Sequence, residues 1–176
     1  MASSFRSKRP RLRNLSPVLL GLLFTCLPVR AHAKNNCPWL NEATASGLLG
    51  GSAVGDFTEA TTGQPAVCTF TQQAEGVTRT LRITVEVAVD PQSRLTAMVQ
   101  SCGSDAAPLK AIGNSATVCS ADERKGGLGE RVVGRVRDQV FTITLQTTLK
   151  GDSTMTRDAL LSNIFTAAEQ VAGNLF

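Results

Sequence analysis

The chain has 176 residues, 42% of them hydrophobic but only 5% aromatic, with 18 basic and 14 acidic residues and a formal charge of +4. That length suits one domain with its own hydrophobic core and is short for two. Six of the basic residues and none of the acids precede Lys34, so from there on twelve bases face fourteen acids and the balance falls to about −2, which removes the electrostatic case for nucleic-acid binding.

Residues 1–33 read as a secretory signal peptide. Arg6, Lys8, Arg9, Arg11 and Arg13 form a positive start, and Val18 to Leu27 is an apolar run interrupted only by Gly21, Thr25 and Cys26. Such a run is too short for a helix that crosses a bilayer, which needs about 20 apolar residues. Pro28 ends it, and Ala31-His32-Ala33 supplies the small residues that predict cleavage between Ala33 and Lys34. Cys26 follows Phe24-Thr25 rather than the small residue that a lipid-attachment signal wants, so export without an anchor is the reading. The expected location is secreted or periplasmic, with no transmembrane helix in the mature chain. The only histidine, His32, leaves with this segment. A mature chain without imidazole has no Ser-His-Asp or Cys-His arrangement and no histidine zinc site.

The mature domain, 34–176, opens on Cys37-Pro38-Trp39-Leu40. Asn41 is a good helix N-cap, and Gly50-Gly51 stops the helix after Leu49. Strands are predicted at Val54 to Thr58, Val67 to Thr71 and Leu81 to Val89, the last with every odd position apolar and the even ones mostly polar. Asp90-Pro91 starts a second helix whose stripe is Leu95, Met98, Val99 and Cys102. Gly103 to Pro108 reads as a loop, Ala116 to Cys119 as a strand, and Asp122 to Gly129 as an exposed loop. Arg131 to Val136 and Val140 to Leu145 flank Arg137-Asp138-Gln139 as a hairpin. A last amphipathic helix runs from Thr156 to Ala172. The order predicts an α+β fold: an antiparallel sheet of about six strands with helices packed on one face. Leu49-Gly50-Gly51-Ser52-Ala53 matches Ile112-Gly113-Asn114-Ser115-Ala116 in pattern, as Leu81 to Val85 matches Phe141 to Leu145, which suggests a duplicated helix-plus-three-strands unit.

Four cysteines remain after the signal: Cys37, Cys68, Cys102 and Cys119. None has C-x-x-C spacing, and in an oxidising compartment they read as two structural disulfides. Three connectivities are open, and local order favours Cys37 with Cys68 and Cys102 with Cys119.

Cys37-Pro38-Trp39-Leu40 leading to Leu48-Leu49-Gly50, then Cys68-Thr69-Phe70 and Ala111-Ile112-Gly113-Asn114-Ser115-Ala116, resembles the pattern of DUF3558-like small exported bacterial (lipo)proteins. The chain has Asn114-Ser115 where that family has Asp-Glu. The resemblance implies a Mog1/PsbP-like fold, an undefined activity and the Cys37 to Cys68 pairing.

No catalytic constellation stands out, and no cofactor or metal is expected. Gly126-Gly127-Leu128-Gly129 lacks the Lys-Ser/Thr of a phosphate loop. Asp122, Glu123 and Glu130 offer oxygen atoms for a ligand or ion, but without the alternating spacing of an EF-hand. Ser46, Ser101 and Ser115 have no histidine to activate them, and a Ser115 to Lys110 dyad would stand in ordinary turn chemistry. Trp39 and Phe57 could line a groove or belong to the core. The function expected is an exported non-enzymatic binding or interaction domain, a monomer that meets an unknown protein or small ligand in the envelope through its open sheet face or the Asp122 to Gly129 loop. Two alternatives are an enzyme using carboxylates such as Glu86 and Glu130 on neighbouring strands, and a structural envelope component.

Overall fold

The computed structural model describes residues 36–74, 76–121 and 127–176. The predicted signal segment, its Ala33 to Lys34 junction, and Asp122 and Glu123 lie outside the described residues.

Helix α1 (Glu42–Leu49) is capped by Asn41, whose side chain accepts from the Thr44 N–H at 2.8 Å, and ends at Gly50 with φ 70°. A left-handed residue at a helix end is the position at which glycine carries no Cβ penalty. Three strands follow, β1 (Val54–Thr58), β2 (Ala66–Ala74) and β3 (Val77–Val87). Asp90 caps α2 (Pro91–Gln100) by accepting from the Ser93 N–H at 3.0 Å, and Pro91 fills the first helical position. A short 3₁₀ turn, Gly103–Asp105, leads to β4 (Ala107–Leu109) and β5 (Ser115–Ser120). The hairpin β6 (Leu128–Val136) and β7 (Gln139–Thr147) precedes α3 (Arg157–Leu175), which Thr156 caps.

All neighbouring strands are antiparallel, in the order β1-β2-β3-β7-β6-β5-β4. The fold is thus α+β with one seven-stranded sheet and three helices. The strand beyond the expected six is β4, a three-residue edge piece containing Pro108 that overlaps the end of the segment read as a loop. Leu128 and Gly129, also read as loop, belong to β6.

The helices do not share one face. Side chains alternate across a strand, and the register places Phe70, Leu81, Ile83, Val132, Phe141, Ile143 and Leu145 on one side. There they pack against Leu48 and Leu49 of α1 and Leu160, Ile164, Ala168 and Val171 of α3. Gly134 stands in this layer opposite Phe141, whose ring lies 2.4 Å from where a Cβ would be. Helix α2 instead packs with Val133 and Cys119, the alternate residues of β6 and β5, through Leu95, Met98 and Val99. The apolar stripe of α2 is narrow, and it meets the alternate face of β5 and β6.

Both disulfides join the pairs favoured by local order: Cys37–Cys68 pins the segment before α1 to β2, and Cys102–Cys119 ties the chain just after α2 to β5. The segments that match in sequence do pair centre to centre, Ile83 with Ile143. A two-fold axis normal to the sheet would keep α1 and α2 on the same side, however, so the helices lend a duplicated unit no support.

Candidate binding face

The reverse face of the sheet is built from the polar positions of the alternating strands. Helix α2 covers the part near Val133 and Thr142, with the Thr142 hydroxyl 3.9 Å from Met98 Sδ. Its Arg94 holds Glu86 of β3 through Nε and through an Nη2 contact of 3.3 Å. What α2 leaves open includes a row across five strands: Asp56, Thr69, Arg82, Thr144 and Arg131 pair in register from β1 to β6. Arg82 is exposed and Arg131 half-buried, and neither forms an ion pair among the described residues. At the β1 end the row opens into a hollow of ≈ 390 Å³, lined by Asp56, Thr58, Glu59, Thr69 and Arg82 among others.

Glu130 belongs to a strand and not to the loop before it. It stands on β6 facing α3, only 3% exposed, and accepts from Arg157 Nη1 at 2.7 Å. The same Arg157 nitrogen reaches Ser120 Oγ at 3.3 Å, and Asp105 accepts from the Ser120 N–H at 2.8 Å. Burial pushes the Glu130 carboxyl above its ordinary pKa, with Arg157 opposing. Glu86 and Glu130 sit on opposite faces, on strands separated by β7. Each answers to its own arginine, so they do not flank a common substrate as paired catalytic carboxylates must.

The remaining candidates have structural employment. Ser46 Oγ accepts from the Ala53 N–H at 2.9 Å, and Ser101 donates to Met98 O at 2.6 Å. Ser115 begins β5 opposite Arg135, so it belongs to the ladder. Trp39 is buried and meets Phe57 edge to face at a centroid distance of 6.0 Å. Among the described residues no group of three or more His, Cys, Asp or Glu side chains is placed to hold a metal, and no helix is long and apolar enough to cross a membrane.

Alternation alone marks Arg82, Thr84, Thr142 and Thr144 as wet positions. Local pattern does not mark Arg131, because its neighbours on the face come from β7 and β3, which only the long-range register brings beside it. No family model matches the chain, and neither the curated proteins nor the solved structures contain a match.

Proposed function

We propose that the chain is an exported, non-enzymatic binding domain that meets its partner or ligand on the sheet face left open beside α2. The observation that carries this reading is the Arg82, Thr144, Arg131 row. Two guanidinium groups that form no ion pair among the described residues, set on an antiparallel sheet, are held ready for the acidic groups of a ligand. The two disulfides suit an oxidising, secreted or periplasmic setting, as does the resemblance to small exported bacterial proteins. Binding without chemistry is supported by the lack of histidine beyond residue 33 and by the opposed positions of Glu86 and Glu130.

The test is capture from envelope extract by the protein recovered after export, whose intact mass also reads whether it begins at Lys34. Wild type is expected to retain a partner that the Arg82→Glu/Arg131→Glu variant loses. Equal capture by both, or none by either, would reject the face.

A further inference from the structure

We propose that the Arg82, Thr144, Arg131 row binds an acidic polysaccharide, its carboxylates meeting the two guanidiniums and its hydroxyls the side chains between and beside them. This rests on the binding reading above and names the ligand class.

The spacing comes from the sheet itself. Arg82 and Arg131 are separated by one strand, with Thr144 paired to both, so their Cα atoms stand about 10 Å apart at the usual strand spacing. Each guanidinium offers a planar fork that takes a carboxylate through two parallel hydrogen bonds. Thr80 and Gln146 form the next row on one side, and Thr84 and Thr142 the row on the other. Around Arg82 and toward Gln146 the surface is therefore hydroxyl and amide, the complement of a polyhydroxylated chain, while α2 over Thr142 and Val133 bounds the row on its other side. Glu86, the acid nearest on β3, is already held by Arg94. Asp56 and Glu59 lie at the β1 end, which directs the acidic groups of a ligand toward β7 and β6.

An acidic peptide fits less well. The mode in which a peptide adds a strand to a sheet edge finds poor templates at both edges here. On β1 the Gly55 N–H is taken by the Glu42 carboxylate at 2.9 Å, and β4 is three residues long and contains Pro108, which has no N–H to donate. From Lys34 onward the chain carries about −2, which opposes indiscriminate attraction of polyanions, so binding of one reports a local site.

The experiment titrates the exported protein with polygalacturonate, neutral dextran and polyglutamate, each at two salt concentrations. Polygalacturonate should bind, more weakly at the higher salt, with dextran and polyglutamate at least about tenfold weaker. Arg82→Gln/Arg131→Gln should lose about tenfold or more, as expected for two charge-assisted contacts. Lys110→Gln/Lys150→Gln, an equal change of charge at exposed positions away from the row, should bind like wild type. Circular dichroism and thermal melting establish that both variants are folded. Equal binding of polyglutamate or dextran, equal loss in the lysine variant, or no binding of polygalacturonate overturns the assignment. If the glycan fails while Arg82→Glu/Arg131→Glu still loses its partner from extract, the polysaccharide is wrong and the face remains.

Discussion

Arg79 and Asp152 are 73 positions apart and both nearly excluded from solvent, at 6% exposure each. Arg79 Nε and Nη2 donate to the two carboxylate oxygens at 2.6 and 2.7 Å, and its Nη1 reaches Leu49 O at 3.3 Å and Gln72 Oε1 at 3.2 Å. Thr147 Oγ1 and the Thr154 N–H add further donors to Asp152. The network binds the end of α1 to the loop before α3, and removing one member strands a buried charge. Arg79→Met is therefore expected to cost about 3–5 kcal/mol in urea unfolding, while Arg79→Met/Asp152→Leu recovers most of it. A double variant as unstable as the single would show that the packing, not the stranded carboxylate, sets the cost. The hydrogen bond from Arg79 holds the Asp152 carboxyl well below its usual range, so this contribution is complete above the ordinary aspartate pKa and fades as pH falls through the lowered value. Glu130 works in the opposite direction. Its raised pKa means that the folded state holds the proton longer than the unfolded chain, so stability falls as pH rises from the ordinary glutamate value to the raised one. Glu130→Gln is expected to flatten that fall in a series of melts against pH; an unchanged slope would assign it elsewhere.

At the scale of elements, α2 is held to the sheet by little. Within the helix only Leu95 is fully buried, and the contact continues through Cys102 to Cys119. The bridge closes a loop with a sequence separation of 17, worth about 3 kcal/mol in the chain-entropy model. Cys102→Ala/Cys119→Ala should lower hydrogen-exchange protection of the α2 amides by about a hundredfold while β3 and β7 stay protected. Uniform loss across the sheet would mean that the bridge supports the whole fold rather than the helix. These elements were unequally legible. Asn41 and Asp90-Pro91 announced the first two helix starts because caps are local chemistry, an apolar stripe announced the third helix, and the strict alternation of Leu81 to Val85 announced β3. Strand β4 was hidden by its three residues and Pro108. The face taken by α2 was hidden for a different reason: a stripe of Leu95, Met98 and Val99 says that one side is buried but not which layer buries it. The candidate site was half legible in the same way. Alternation exposed Arg82 and Thr144, whereas the company of Arg131 depended on strand pairings that no local pattern encodes.

For the whole molecule the decisive feature is the pair of edge strands, β1 and β4, that a seven-stranded open sheet presents. Unpaired edge groups are templates for association, and proteins blunt them with short strands, proline and charge. Here β4 uses length and Pro108, while β1 is five residues long and has the Gly55 N–H capped by the Glu42 side chain from the first turn of α1. Gly55 is itself hemmed in, since a Cβ there would lie 2.9 Å from the Phe70 ring and 3.2 Å from the Glu42 oxygen. The N-cap at Asn41 sets the start of α1 and so the place of Glu42, which links a local sequence signal to the state of the edge. A monomer is the expected form, and Glu42→Ala is the change that should threaten it. The variant frees a backbone donor and removes a negative charge from the edge, at a cost of about 1–3 kcal/mol for the lost charged hydrogen bond. Light scattering at rising concentration should show wild type monodisperse and Glu42→Ala forming larger species, with no comparable change in Glu169→Ala, which removes a charge from the exposed side of α3. If Glu42→Ala stays monomeric at every concentration, the short length of β1 protects the edge by itself, and the carboxylate serves only to dock α1.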